Sequence, residues 1–181
     1  PITLDVKPPD FFEGGTLGFA NWVTGEITLN ENIFSTPSQF NSINVSMSFP
    51  VLVHEILHTF SLVGIGYAEN LTQDIGNNKM LIGENGLLKY KELLQNNDYN
   101  VTDYLNSLIG IPIENSFQPG SVLVHFDEGL NEEGLEVRYI NGVLHPSFPE
   151  ALMSPFISSN NYLTAMHLGC LQDLGFEVNY D

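Results

Sequence analysis

The segment His54-Glu55-Ile56-Leu57-His58 has the residue types and the spacing of a metal site that activates water. Two histidines four residues apart lie on one face of a helix, about one turn from each other, so both imidazoles can reach a single metal ion. Glu55 lies between them and points to the same opening, where a carboxylate can act as a general base. The competing interpretation is a pair of histidines on an ordinary exposed helix face.

A helix must hold these side chains, and the surrounding residues predict one. Ser48 is a suitable N-cap and Pro50 suits the first turn. Apolar residues then recur at the spacing of a core-facing stripe and leave the two histidines on a neighbouring stripe. The residues of the apolar stripe are Val53, Ile56, Leu57 and Phe60.

A catalytic zinc ion needs three protein ligands and one open position for water. The later candidates are His125, His145, His167 and an acidic residue. His167 has apolar neighbours in a predicted helix, which favours a structural role. A glutamate ligand would follow about 20 residues after the motif, where Asn78 stands, and Glu84 lies in a glycine-flanked loop. The choice narrows to His125 or His145.

Composition narrows the classes of partner. The chain has 181 residues, 22 acidic and 5 basic, with a formal net charge of −17. Such a field repels nucleic acid and anionic membranes. An acidic, soluble surface is the favoured explanation; calcium is a compatible second cofactor that no motif assigns. The single cysteine, Cys170, has leucine neighbours and is expected to be buried, so His and carboxylate side chains must supply any zinc ligands.

The first third of the chain predicts a small sheet beside the metal helix. Residues 2–6 and 25–30 alternate as strands, and in the second Ile27 and Leu29 should face inward and Thr28 outward. One interpretation places this second strand at the upper rim of a cleft, where it pairs with an extended peptide near Thr28. The other is an ordinary half-buried strand.

The remainder of the chain predicts helices, then short strands, then a last helix. We expect helices over 86–96 and 101–109, a strand over 122–126, and a hairpin around Asn141-Gly142. A turn should follow at 151–155, and a helix over 162–174 should stop at Gly175. We expect one domain over 1–181, divided into subdomains at about residues 1–64 and 65–181. No stretch approaches the roughly 20 apolar residues of a membrane span, and no signal-peptide pattern follows Pro1.

Taken in order, these segments resemble the leishmanolysin-type metzincins and their bacterial and viral relatives. That family carries HExxH, a third histidine, a Met-turn of the form E-L-M-T-[GP], and a helix ending in Q/E-D-L-G-[FY]. The resemblance covers roughly residues 22–180. The matching later segments here are Glu150-Ala151-Leu152-Met153-Ser154-Pro155 and Leu171-Gln172-Asp173-Leu174-Gly175-Phe176.

The resemblance favours His125 as the third ligand, because residues 119–128 are similar to the family's P-G-T-A-G-S-H-W-[RD]-E segment. His125 lies 67 residues after His58, but Met153 follows it by 28 residues, more than the family's usual dozen. The hairpin would account for this insertion. If the hairpin precedes the ligand instead, His145 takes the role. The family also has glycine three residues after the second histidine; here Ser61 stands there, and we expect a slightly longer helix.

The resemblance implies an α+β, zincin/metzincin-like fold: a small twisted sheet on the HExxH helix and a C-terminal subdomain with a Met-turn and a final helix. It also implies a zinc endopeptidase with one catalytic zinc on His54, His58 and His125, Glu55 as general base and Met153 beneath the metal. Its location would be extracellular, cell-surface or virion-associated, and its partner a protein or peptide substrate. The alternative is an inactive, metal-stabilised structural or binding domain with a fourth ligand.

Overall fold

The computed structural model describes residues 1–63, 69–76, 78–96, 105–115, 123–127, 130–131, 134–135, 138–140, 143–146 and 150–181. These residues form an α+β structure with three α-helices and five small sheets. The helices are α1 (Ser48–Thr59), α2 (Glu84–Asn96) and α3 (Ala165–Asp173). The strands are β1 (Thr3–Lys7), β2 (Gly18–Asn21), β3 (Glu26–Asn30), β4 (Pro37–Phe40), β5 (Ile43–Ser46), β6 (Thr72–Ile75), β7 (Asn78–Leu81), β8 (Ile111–Pro112), β9 (Leu130–Asn131), β10 (Gly134–Leu135), β11 (Arg138–Ile140), β12 (Val143–His145) and β13 (Asn160–Asn161).

The N-terminal sheet has the order β1-β3-β2, with β1 parallel and β2 antiparallel to the central strand β3. Ile27 and Leu29 are buried, as predicted, and pack with Val51 of α1. Thr28 was expected to face outward, yet it is only 8% exposed. Phe19 of β2 is its cross-strand partner.

The rim position predicted for Thr28 needs a correction. Both edges of β3 are already paired, so its backbone cannot add a peptide strand. Among the described strands of this sheet, β1 and β2 are the ones with an unpaired edge. Alternation along the chain predicted the strand, but the order of strands in a sheet depends on contacts that a short pattern does not encode.

Helix α1 has the predicted location, but its N-cap residue and its buried apolar residues differ from the predicted ones. Ser48 is the first helical residue, and its amide lies 3.3 Å from the Ser46 hydroxyl oxygen. The buried apolar residues of the helix include Val51 and Leu57. Phe60 is exposed, because the helix ends at Thr59 and Phe60 is already its C-cap.

The helix ends sharply, which corrects the expectation of a longer helix. Ser61 takes a left-handed conformation with φ of 60°. Its amide donates to the His58 carbonyl (2.9 Å), and the Leu62 amide donates to the Leu57 carbonyl (3.1 Å). This is the Schellman arrangement, in which the left-handed position is usually glycine. Ser61 therefore makes the turn for which the family uses glycine.

Helices α2 and α3 pack together through small residues and one carboxylate. Asp173 accepts hydrogen bonds from the amides of Asn85 (2.9 Å) and Gly86 (2.8 Å) at the start of α2. A Cβ on Gly83 would lie 2.1 Å from an Asp173 oxygen, and one on Gly169 would lie 2.7 Å from the Asn85 carbonyl oxygen. The carboxylate therefore satisfies helix-terminal amides of α2 that have no partner within their own helix.

Several predicted elements differ in detail. In the predicted helix over 101–109, residues 101–104 lie outside the described residues, and the described remainder forms a 3-10 turn, Leu105–Ser107, in place of an α-helix. The predicted strand over 122–126 is wrong for the described part, where Phe126 makes a single bridge to Ile113. The hairpin strands pair as β11 and β12, and their turn lies outside the described residues.

The larger hydrophobic core joins α2, α3 and the residues around Met153. Cys170 is fully buried there, as predicted. Helix α3 begins three residues later than expected, because Tyr162 instead pairs with Ala151 in a parallel bridge. Among the described residues no helix has both the length and the apolar character needed to cross a membrane.

Candidate metal centre

Three histidines converge at one point in the structure. The Nε2 atoms of His54 and His58 are 3.0 Å apart, those of His54 and His125 are 3.1 Å apart, and those of His58 and His125 are 3.3 Å apart. His54 and His58 come from α1, and His125 comes from the segment 123–127. All three are well buried or half-buried. The structure thus brings His125 to the HExxH pair.

Hydrogen bonding alone does not explain this arrangement. An imidazole nitrogen carries either one hydrogen or one lone pair, so three nitrogens in mutual contact cannot all pair with one another. A metal ion accepts three lone pairs at once. With zinc–nitrogen bonds of about 2.05 Å and tetrahedral angles, the nitrogens would be about 3.3 Å apart, close to the observed separations. The three histidines could therefore hold a metal ion.

The backbone of a distant turn orients His54. Its Nδ1 lies 2.5 Å from the Leu152 carbonyl oxygen. Since a carbonyl only accepts hydrogen bonds, Nδ1 carries the ring hydrogen and Nε2 keeps a lone pair. A hydrogen bond of this kind on the far nitrogen is typical of metal-binding histidines.

His125 is positioned by backbone pairing on both sides. Its carbonyl accepts from the Glu114 amide (3.0 Å), and the Asp127 amide donates to the Pro112 carbonyl (3.1 Å). Between them, the Phe126 amide donates to the Met153 carbonyl (2.8 Å). The segment that carries His125 is therefore attached both to the strand region 111–114 and to the turn around Met153.

Met153 and His167 form part of the same support. Met153 is fully buried, and its amide donates to His167 Nε2 (3.3 Å). His167 Nδ1 lies 3.1 Å from the Thr164 amide nitrogen and 2.9 Å from the Thr164 hydroxyl oxygen. Burial, together with nearby His54, lowers the pKa of His167 to about 3. His167 is a neutral, buried residue that links α3 to the turn, consistent with the predicted structural role.

Glu55 follows His54 on α1 and has little access to solvent. It is 5% exposed, and its Oε2 has no hydrogen-bond partner among the described residues. Burial raises the pKa of this carboxyl group to about 8. On the strand above it, Gly18 carries no side chain, and a Cβ built there would lie 3.2 Å from Glu55 Oε1. A buried carboxyl on the helix that carries two of the three convergent histidines is suited to exchanging a proton with water near neutral pH.

Burial also favours the neutral form of the histidines in this cluster. It lowers the pKa of His54 to about 3, with a smaller effect from His125. Burial likewise lowers the pKa of His58 well below its usual value, and His54 and His125 add to the effect. Neutral imidazoles are the form that binds a metal ion.

The alternative ligand His145 lies elsewhere. It is buried on β12, its Nδ1 is 3.0 Å from the Val143 carbonyl oxygen, and it does not belong to the cluster that His54, His58 and His125 form. Burial lowers its pKa. Of the two candidates that the sequence left open, the structure brings only His125 to the pair.

Two contributors were missed by sequence reasoning. One is the Leu152 carbonyl, because a backbone atom leaves no signal in residue identity. The other is Gly18, which stands in a loop-like run with Gly14 and Gly15 and gives no sign of its position above Glu55. Comparison of the chain with models of protein families, with curated proteins and with solved structures found no match.

Proposed function

We propose that this protein is a zinc-dependent endopeptidase of the metzincin type, similar to leishmanolysin. The observation that carries the proposal is the convergence of the three Nε2 atoms on a helix that also carries the buried carboxyl of Glu55. Three nitrogen ligands with no fourth protein ligand in the described cluster are typical of catalytic zinc sites, which keep one position open. Structural zinc sites usually have four protein ligands.

In this mechanism His54, His58 and His125 would hold the zinc ion, which would supply Lewis-acid polarisation of the scissile carbonyl and a lowered pKa of water. Glu55 accepts a proton from the attacking water and delivers it to the leaving amine nitrogen. The low exposure of Glu55 limits competing solvent around this transfer. The turn that contains Leu152 and Met153 lies against His54, and the Leu152 carbonyl accepts a hydrogen bond from the His54 ring.

An extended substrate would lie along β2, in place of the β3 site first expected at Thr28. Within the described part of the sheet β2 is an edge strand, and a Cβ built on Gly18 at its start would lie 3.2 Å from Glu55 Oε1. A peptide can pair with such an edge through main-chain hydrogen bonds. This would place the scissile bond close to Gly18.

The test combines metal content with cleavage. We expect one zinc per purified chain, cleavage of a peptide library, and loss of cleavage with a chelator. Glu55→Gln should keep the zinc and lower kcat at least about 100-fold, since general acid-base catalysis contributes roughly 10²–10⁴-fold. His125→Ala should lose zinc, whereas His145→Ala should retain it.

Two results would contradict the proposal. Full activity in Glu55→Gln would show that Glu55 is not the base. A zinc ion that needs both His125 and His145, with no cleavage of any peptide, would instead indicate a closed structural site and the alternative, a metal-stabilised binding domain.

A further inference from the structure

The face of the N-terminal sheet that lies away from α1 carries a small cavity, the outer-face cavity. Ile27 and Leu29 of β3 pack towards α1, so the alternate residues of this strand face the other side of the sheet. On that side the cavity has a volume of about 220 Å³. Its lining side chains form two rows across the three strands, Thr3–Glu26–Asn21 and Asp5–Thr28–Phe19.

Thr28 forms the floor of the outer-face cavity. The residue is only 8% exposed, and its hydroxyl has no hydrogen-bond partner among the described residues. Asp5 and Phe19 lie opposite it on the two neighbouring strands and face the same side. A buried hydroxyl without a protein partner favours a ligand that offers it a hydrogen bond. The cavity is therefore suited to a polar group.

One cation already lies on this face of the sheet. Lys7 Nζ lies 2.7 Å from Asp5 Oδ2 and 5.7 Å from the centroid of the Phe11 ring. Asp5 Oδ1 accepts a hydrogen bond from the Val6 amide (2.9 Å). Both carboxylate oxygens of Asp5 therefore have partners, and Lys7 balances the charge of Asp5.

Glu26 supplies the negative charge that remains in the cavity. Its Oε2 accepts a hydrogen bond from the Thr24 hydroxyl (2.9 Å), and no cation of the described residues pairs with this carboxylate. Lys7 is too distant, because it lies four residues, about 13 Å of strand, beyond Thr3, the residue opposite Glu26. The whole chain has a net charge of −17. The cavity should therefore attract a cation and repel an anion.

The shape of the available groups favours a planar cation. Glu26 and the Thr28 hydroxyl lie two residues apart on one face of β3, and the flat ring of Phe19 lies beside Thr28. A guanidinium group donates several hydrogen bonds in one plane, pairs with a carboxylate and stacks on an aromatic ring. A calcium ion suits the cavity less well, because it takes about six to eight oxygen ligands and both oxygens of Asp5 already have partners.

We propose that the outer-face cavity binds an arginine side chain of a basic polypeptide partner. The guanidinium group donates hydrogen bonds to Glu26 and to the Thr28 hydroxyl and stacks on the Phe19 ring. The cavity lies on the side of the sheet opposite α1, so this site is separate from the candidate metal centre. It goes beyond the proposed peptidase function and does not depend on it.

The first experiment titrates the isotopically labelled protein with the Nα-acetyl amides of arginine, citrulline and lysine and follows the backbone amide signals by NMR. Citrulline has the shape of arginine without its charge. We expect arginine to shift the signals of Glu26 and Thr28 with a Kd about tenfold lower than that of citrulline. Lysine should bind with an intermediate Kd, because its ammonium group is a point charge without the planar set of donors.

Variants test the two polar contacts. Glu26→Gln should raise the Kd for arginine about tenfold and remove the preference over citrulline. Thr28→Val keeps the branched shape and removes the hydroxyl, so it should raise the Kd about threefold. The matched control is Glu31→Gln, which removes the same charge at an exposed residue outside the cavity. Its Kd should stay within about twofold of the wild-type value.

A second experiment separates a polypeptide partner from free arginine. The probe is a Gly/Ser peptide with one arginine between two lysines, added to Glu55→Gln protein so that cleavage does not interfere. We expect this peptide to bind about tenfold tighter than acetylarginine amide at low salt, because the acidic chain attracts its extra charges. The gain should disappear in about 0.5 M salt. Free arginine should bind no tighter than the capped form.

Several results would overturn the proposal. These are equal binding of arginine and citrulline, an equal loss of affinity in Glu26→Gln and Glu31→Gln, and shifts confined to the signals of α1. Free arginine that binds more tightly than the basic peptide would indicate a small-molecule ligand and reject the polypeptide partner. Because no measurement here depends on cleavage, failure of the peptidase proposal would leave these outcomes unchanged.

Discussion

The two nitrogens of the His54 imidazole have different partners. Nδ1 faces the Leu152 carbonyl, while Nε2 faces the Nε2 atoms of His58 and His125. The first contact sets the tautomer and leaves the second nitrogen with a lone pair. A single residue of the motif therefore depends on a backbone atom 98 residues away in the chain.

Gly18 is the second position where a single atom matters. In Gly18→Ala the new Cβ would lie 3.2 Å from Glu55 Oε1 and 3.1 Å from the Thr28 carbonyl oxygen, so Glu55 must shift by a few tenths of an ångström. We expect kcat to fall about tenfold, since misplacement of a catalytic group by 1 Å can cost about 100-fold. Zinc content should be unchanged.

The control for Gly18→Ala is Ala20→Ser, on the same face of β2 and two residues along the strand. It adds one atom away from Glu55 and should leave kcat near the wild-type value. If Gly18→Ala cleaved peptides at the wild-type rate, the space beside Glu55 would have no catalytic role.

At the scale of elements, the C-terminal end of α1 shows that a residue other than glycine can take the left-handed conformation that ends a helix. The family pattern has glycine where this chain has Ser61, which led to the expectation of a longer helix. The helix instead ends at Thr59, and Ser61 adopts the left-handed conformation with φ of 60°. The hydrogen bonds of Ser61 and Leu62 to the last turn hold it there.

Replacing Ser61 by glycine should stabilise this helix end. A residue with a Cβ is less stable in the left-handed region by roughly 1–2 kcal/mol, so removing the Cβ should stabilise the folded state. Part of this gain is offset by the greater conformational freedom of glycine in the unfolded chain. We expect Ser61→Gly to raise the free energy of unfolding by about 1 kcal/mol in urea denaturation, at unchanged zinc content.

Ser61→Ala is the matched variant, because it keeps the Cβ that causes the strain. Its free energy of unfolding should stay close to that of the wild type. A lower stability of Ser61→Gly than of Ser61→Ala would mean that the serine hydroxyl, and not the backbone, decides this position.

At the scale of the whole molecule, buried histidines connect the protonation of the candidate metal centre to folding. The pKa of His54 and that of His167 are each lowered to about 3, and the pKa of His58 is also lowered. In the unfolded chain these groups take up protons near pH 6.5. The contribution of these histidines to the free energy of unfolding is therefore fully present above about pH 6.5 and is lost as the pH falls towards 3.

We expect the metal-free protein to lose stability steeply on acidification, by about 1.4 kcal/mol per pH unit for each of these histidines. Zinc should raise the Tm at pH 7.5 much more than at pH 5, because protons compete for the same nitrogens. Thermal unfolding with zinc and with chelator at both pH values measures this. An equal effect of zinc at both pH values, or no effect at pH 7.5, would contradict it.

Local patterns were enough to predict much of this protein. The segment around His54, Glu55 and His58 predicted a helix with two candidate metal ligands, and the alternation of Ile27 and Leu29 predicted an inward-facing strand. Helix α2 and the antiparallel pairing of β11 with β12 were also expected. These features depend on residues close together in the chain, where helix and strand periods are expressed directly in residue type.

Only the tertiary structure decided which later histidine joins the pair and which strand edge lies open beside Glu55. His125 reaches α1 because backbone hydrogen bonds join its segment to Glu114, Pro112 and Met153. Among the described strands of this sheet, β2 and not β3 has an unpaired edge, because β1 and β2 pair on the two sides of β3. Such pairings involve main-chain groups that every residue carries, so residue identity alone does not specify them.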